Sequence, residues 1–171
     1  MTTVLAFANQ KGGVAKTTST LNVGVALREM HYRVLAIDLD PQGNLSMSQG
    51  INPEFLTRSM FNVLVQRVPL DDIIQRCEID IAPASIDLAG AELALSSAIG
   101  RERSLEKALM QVKHRYDFIL IDTPPSLGLL TINALTAADG VIVPVQCEYL
   151  SLRGLAQMEK TLEMIRETIN P

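Results

Sequence analysis

Asn9-Gln10-Lys11-Gly12-Gly13-Val14-Ala15-Lys16-Thr17-Thr18 is the stretch that decides how this chain reads. It follows a short apolar run, Val4–Ala8, and leads into a segment with helical spacing. That strand–loop–helix context is what a phosphate-binding loop requires. Gly12 and Gly13 let the backbone curl so that successive N–H groups converge on one anion. The helix opening near Thr17 adds the positive end of its dipole at the same spot. In such a loop Lys16 would reach the β- and γ-phosphates, the Thr17 hydroxyl would ligate Mg²⁺, and Thr18 would donate to the α-phosphate. The stretch departs from the strict pattern G-x-x-x-x-G-K-[ST] at both glycines, which are Gln10 and Ala15 here. If Ala15 needs a positive φ, its Cβ costs about 1 kcal/mol, whereas helical angles would cost nothing. The residues alone leave both conformations open.

Two further apolar runs end in carboxylates. Leu35-Ala36-Ile37-Asp38-Leu39-Asp40-Pro41-Gln42-Gly43-Asn44 puts two acids two residues apart at the exit into a Pro/Gly turn, where they can face one cation or one water. Phe118-Ile119-Leu120-Ile121-Asp122-Thr123-Pro124-Pro125 closes on Asp122, the arrangement in which a carboxylate holds Mg²⁺ or its water shell. Val4–Ala8, Val34–Ile37, Phe118–Ile121 and Val141–Val145 suit strands buried on both faces of a parallel sheet. Ile79 and Ile81 alternate with Glu78 and Asp80, so that strand has one wetter face. Between the strands, Val23, Ala26, Leu27 and Met30 repeat at helical spacing. So do Leu105, Ala108, Leu109 and Val112, and then Leu155, Met158, Leu162, Ile165 and Ile169. The alternation predicts an α/β fold, a doubly wound, mainly parallel sheet with helices on both faces. Ligands of such sheets bind outside the carboxyl ends of the strands, where the motifs lie.

The composition narrows the classes. A chain of 171 residues fits one domain, residues 1–171, with a full core. Every apolar run is cut within a few residues by Asp, Asn, Gly or Pro, so no membrane span is expected. Met1-Thr2-Thr3 has no basic region and precedes too short an apolar run for a secretory signal, which predicts a cytoplasmic protein. A net charge of −4 argues against a chain coated by nucleic acid, although a local basic patch remains compatible with it. Cys77 and Cys147 lack partners at metal-ligand spacing and read as reduced, buried thiols. His31 and His114 read as surface residues at helix ends.

At these residues the chain resembles the ParA/MinD family of deviant Walker A ATPases, and within it the ParA/Soj chromosome and plasmid partition proteins. The deviant pattern K-G-G-x-x-K-[ST] is met by Lys11 through Thr17. Asp40-Pro41-Gln42-Gly43-Asn44 resembles the family's switch I segment. Asp122 through Leu135 resembles switch II and the helix after it, and Pro144-Val145-Gln146-Cys147-Glu148 is typical of the ParA branch. The likeness covers essentially the whole chain. It implies a Mg²⁺-dependent ATPase that binds ATP and ADP, with Lys11, Gly12, Gly13, Val14, Ala15, Lys16, Thr17 and Thr18 around the nucleotide. Lys11 would act as the signature lysine, reaching across an ATP-dependent homodimer to the partner's phosphates, as an arginine finger does. Lys16 would bind the phosphates in cis, Asp40 would orient the attacking water, Thr17 would ligate Mg²⁺, and Asp122 would support it directly or through water. Asp38 and Pro124 are secondary candidates. A ParB-like centromere-binding protein, non-specific DNA and a nucleoid-associated location follow from the resemblance; a membrane does not. Relatives continue past Ile169-Asn170-Pro171 with further strands and helices, so a C-terminal part that supplies adenine and DNA contacts is expected to be lacking here.

Other classes stay in view. A MinD-like ATPase positioning division or other cargo would end in a basic amphipathic helix. The last helical stripe here instead carries Glu159, Glu163 and Glu167 against Lys160 and Arg166. An iron–sulfur reductase of the nitrogenase iron-protein type needs cysteines where neither Cys77 nor Cys147 stands. A nucleotide-binding fragment without turnover differs from an ATPase only in an assay.

Overall fold

The structure, a computed structural model, describes residues 1–147 and 151–170. Strands β1 (Thr3–Phe7), β2 (Val34–Asp38), β3 (Gln75–Arg76), β4 (Asp80–Ala82), β5 (Phe118–Asp122) and β6 (Gly140–Ile142) form one sheet. The order is β3-β4-β2-β5-β1-β6. Every pairing is parallel except the short β3, which runs antiparallel to β4. The connecting helices are α1 (Lys16–Glu29), α2 (Asn44–Ser48), α3 (Met60–Gln66), α4 (Ala91–Leu95), α5 (Ser104–Leu109), α6 (Leu129–Ala137) and α7 (Ser151–Thr168).

The period of two along each strand divides the apolar residues between two faces. Val4, Ala6, Leu35, Ile37, Ile119 and Ile121 face one layer, where they meet Leu64 of α3, Leu105 and Leu109 of α5, Leu130 and Ala134 of α6, and Met158 and Ile165 of α7. Phe7, Val34, Ala36, Ile81 and Leu120 face the other, against Leu21, Val23 and Leu27 of α1 and Leu45 of α2. Burying one such side chain contributes about 1.5–3 kcal/mol, so the sheet is clamped from both sides. The sequence expectation of a doubly wound, mainly parallel sheet is met.

Three local readings need correction. In α1 the buried positions are Lys16, Thr20 and Gly24, while Ala26 and Met30 of the expected stripe are exposed. The cause is close approach to the sheet: a Cβ on Gly24 would lie 2.7 Å from Ile79 Cδ1 and 3.3 Å from Leu120 Cδ1. The run Val141–Val145 is a strand only as far as Ile142, and it is half-buried, because β6 is an edge that pairs with β1 alone among the described residues. Neither cysteine is buried: Cys77 is intermediate and Cys147 exposed, both as free thiols.

Other expectations hold. Leu105, Ala108, Leu109 and Val112 are all buried. So are Met158 and Ile165, although Leu155 at the start of that stripe is exposed. Ile81 is buried while Asp80 is half-exposed. His31 and His114 are exposed. Glu148 and Pro171 lie outside the described residues. Among the described residues no helix is long and apolar enough to cross a membrane.

Candidate functional site

The candidate site lies at the carboxyl ends of β1, β2 and β5. Parallel register sets Phe7 beside Asp122 and Asp38 beside Asp122, so three strands deliver the loop and two acids to one rim. From β1 the chain runs through Asn9, whose amide donates to the Pro144 carbonyl at 2.8 Å and whose Oδ1 accepts from the Lys11 N–H at 3.0 Å. The loop then turns twice through the left-handed region, at Gly13 with φ 73° and at Ala15 with φ 62° and ψ 31°. That settles the conformation of Ala15: it is the strained one. The Ala15 carbonyl accepts the first helical bond from the Ser19 N–H at 2.8 Å, and α1 begins at Lys16.

Lys16 is buried, and its ammonium lies 3.4 Å from the Lys11 carbonyl. Burial lowers its pKa, against the opposing pull of Asp122 and Asp40, which places both acids within electrostatic reach. The Thr17 hydroxyl donates to Asp122 Oδ2 at 2.6 Å. Asp122 is fully buried, and its Oδ1 has no hydrogen-bond partner. Burial raises its pKa to about 7, and the negative neighbours Asp38 and Asp40 add to the rise, while Thr17 and Lys16 oppose it.

A buried carboxylate oxygen without a partner is costly unless something binds it. A hard cation is the natural complement of such an oxygen beside a threonine hydroxyl. Among the described residues there is no cluster of three His, Cys, Asp or Glu that would cage a metal by itself. Thr17 and Asp122 therefore fit Mg²⁺ that takes its remaining ligands from phosphate and water.

Asp40 is buried, and its Oδ1 accepts from the Gln42 N–H at 3.0 Å. The Gly43 N–H closes the turn on the Asp40 carbonyl at 2.9 Å. Asp38 sits one step behind. Its Oδ1 accepts from the Asp40 N–H at 3.1 Å, and its Oδ2 accepts from Ser46 through both N–H, at 2.9 Å, and hydroxyl, at 2.7 Å. Burial raises the Asp38 pKa to about 6 despite those bonds. The two acids, which by spacing could face one cation or one water, are split, because the Asp38 oxygens are turned to the backbone and hydroxyl of their own segment.

Lys11 is exposed, and its ammonium donates to Gln146 Oε1 at 2.8 Å. Gln146 in turn donates to the Gly13 carbonyl at 3.2 Å. Gly12 adjoins Pro125, whose Cβ would lie 3.9 Å from a Cβ placed at Gly12. The secondary candidate Pro124 is buried. Gly12, Val14 and Thr18 complete the loop; Val14 is buried, Gly12 and Thr18 are exposed. Sequence reasoning missed the roles of Asn9, Ser46 and Gln146. Gln146 belongs to the Pro144–Glu148 segment, but nothing in its spacing ties it to residue 11.

Comparison with known proteins gives consistent matches. The chain matches the AAA_31 family, described as an AAA domain, over residues 2–171. It is 49% identical over 172 residues to an uncharacterized protein of Mycobacterium tuberculosis, covering 98% of this chain and 54% of that one. It is 47% identical over 170 residues to the sporulation initiation inhibitor protein Soj of Bacillus subtilis, covering 98% of this chain and 67% of Soj. Among solved structures, cobyrinic acid a,c-diamide synthase from Mycobacterium smegmatis, with ADP and magnesium bound, superposes with a TM-score of 0.97 at 49% identity. That match covers all of this chain and 71% of the other. The chain thus spans between about half and about two thirds of the length of the curated relatives it matches.

Proposed function

The chain belongs to the ParA/Soj-type family of partitioning ATPases, and from that premise we propose that residues 1–171 form one P-loop domain that binds and hydrolyses ATP with Mg²⁺. ATP binding would drive a homodimer switch serving chromosome or plasmid partitioning. In this reading the loop amides and the α1 dipole hold the β- and γ-phosphates, and Lys16 supplies the cis charge. The Thr17 hydroxyl and Asp122, directly or through water, would hold Mg²⁺, which when bound would supply positive charge against the phosphate oxygens. Asp40 orients the attacking water by accepting a hydrogen bond from its O–H. Lys11 leaves Gln146 and reaches the γ-phosphate of the partner subunit. A ParB-like protein and non-specific DNA are the partners that go with this role, in a cytoplasmic, nucleoid-associated setting.

The observation that carries the reading is the Thr17–Asp122 bond with Asp122 Oδ1 unpartnered, next to a buried lysine. The bound ADP and magnesium of the M. smegmatis relative support it, although that protein bears a synthase name. The lysine at position 11 favours the partition role over a cis-only phosphate loop, which has no need of it.

The test is thermal. ATP with Mg²⁺ at 100 times Kd should stabilise the chain by about 2.7 kcal/mol, and Lys16→Ala should abolish the gain. An equal shift in the Lys16→Ala protein would remove the phosphate-loop assignment. Hydrolysis assayed with and without DNA and a ParB-like protein then addresses turnover.

A further inference from the structure

Asp38 and Ser46 form a buried knot beneath the Asp40 turn. Both side chains are fully buried. The Ser46 hydroxyl donates to Asp38 Oδ2 at 2.7 Å and accepts from the Ala84 N–H at 3.0 Å. It therefore joins the segment after β2 to the loop after β4. That loop is itself anchored: the Met60 N–H donates to the Pro83 carbonyl at 2.9 Å, and the Ser59 and Ser85 hydroxyls meet at 2.8 Å. On the other side of the knot, Asp38 Oδ1 accepts the Asp40 N–H, so the backbone of Asp40 hangs from the same carboxylate. Each Asp38 oxygen has a partner, whereas Asp122 one strand away has an oxygen with none. The two acids at neighbouring register positions have different tasks.

We propose that Ser46 is a positioning residue for the Asp40 carboxylate, its hydroxyl stapling Asp38 to the Ala84 amide, and that Asp38 serves this staple and not the metal ion. The proposal rests on the reading that Asp40 orients the attacking water. A hydrolytic water tolerates little misplacement of the group that holds it.

The test uses Ser46→Ala and the isosteric Asp38→Asn, whose amide would turn N–H groups toward the Ser46 N–H. The measurements are amide hydrogen exchange, Mg²⁺-dependent ATP binding and turnover, all on the whole chain. In Ser46→Ala, exchange at Asp40, Gln42 and Gly43 should rise about tenfold or more while residues 12–18 are unchanged, because the opening is local. ATP affinity should stay within about twofold and turnover fall about tenfold, a loss in kcat and not in KM. Asp38→Asn should repeat this pattern with the Mg²⁺ half-saturation within about twofold, since removing a metal-side carboxylate would cost about tenfold or more. Unchanged exchange at those three amides in Ser46→Ala, or a tenfold rise in the Mg²⁺ requirement in Asp38→Asn, would overturn the proposal. A parent chain that binds ATP without turnover defeats the hydrolytic reading instead, and the exchange and Mg²⁺ measurements still decide this one.

Discussion

Replacing Ala15 with glycine should make the protein more stable. Ala15 occupies the left-handed region, with φ 62° and ψ 31°, immediately before the first helical residue. An L-residue there pays about 1–2 kcal/mol for its Cβ. Glycine removes that term but returns about 0.4–1 kcal/mol through the greater freedom of the unfolded chain. The Ala15 side chain is exposed, so no packing is lost with the methyl. The net gain is then about 0.5–1 kcal/mol, or roughly 1–4 °C in Tm for a chain of this size. Thermal unfolding without nucleotide measures it directly. Arg67 and His31, exposed and at φ 58° and 68°, are the controls: glycine at either should act with the same sign. The Mg²⁺-dependent shift produced by ATP should survive in Ala15→Gly, because Lys16 and Thr17 are untouched. A lower Tm in Ala15→Gly, with the two controls raised, would show that the loop does not hold residue 15 in this conformation.

Lys11→Ala should still bind ATP as a monomer but fail to dimerise on ATP and lose stimulated hydrolysis, since two facing nucleotides repel in a low-dielectric interface. Light scattering with ATP checks it, and a mutant that dimerises like the parent would remove the trans role. Asp40→Ala should bind ATP with parent-like affinity and hydrolyse it poorly, because Lys16 and the loop amides remain; parent-like turnover would move the role elsewhere. Asp122 has a folded pKa of about 7 against an ordinary 3.8, so its protonated form favours the nucleotide-free fold. That contribution is complete below about pH 4 and is lost as the pH rises through 7. Asp122→Asn should flatten this part of the stability–pH curve measured by urea unfolding, while in the parent the gain from Mg²⁺ and ATP should grow over the same range.

Much of the sheet was legible because burial on both faces leaves an unbroken apolar run, and a buried strand that ends at a site must stop in a polar group. Val34–Ile37 before Asp38 and Phe118–Ile121 before Asp122 obey both conditions, and the carboxylates prove to be the last residues of β2 and β5. The edge strand was over-read for the same reason: Val141–Val145 has the apolar run of a central strand, yet it has a neighbour on one side only among the described residues. The face of α1 was hidden because a hydrophobicity pattern cannot flag a glycine. Gly24 is buried for what it lacks; Val23 and Leu27 of the expected stripe do pack on the core, and the exposed Ala26 and Met30 drew it too far round the helix.

The two acids of the Asp38-Leu39-Asp40 segment show where sequence spacing stops being informative about chemistry. In an extended strand, residues two apart point to the same side, a geometry in which both could face one cation or one water. The Asp40 N–H instead donates back to Asp38, and the chain turns at once through Pro41 and Gly43 into α2, returning Ser46 to the same carboxylate. Asp38 is thereby used up by the backbone it supports, while Asp40 lies within electrostatic reach of Lys16 and favours its charged form against the effect of burial. Asp122 has no such turn beneath it, because Thr123 ties the chain straight on to the Phe7 carbonyl at 2.8 Å. The carboxylate with an unpartnered oxygen is therefore the one whose next residue is tethered to the neighbouring strand instead of turning back onto it. In this chain the aspartate followed by a tight return to a helix has both oxygens taken, and the one followed by a strand-side tether has an oxygen left for a cation. That distinction lives in the three to eight residues after each acid, and the turn chemistry that sets it was present in the sequence as Pro41-Gln42-Gly43.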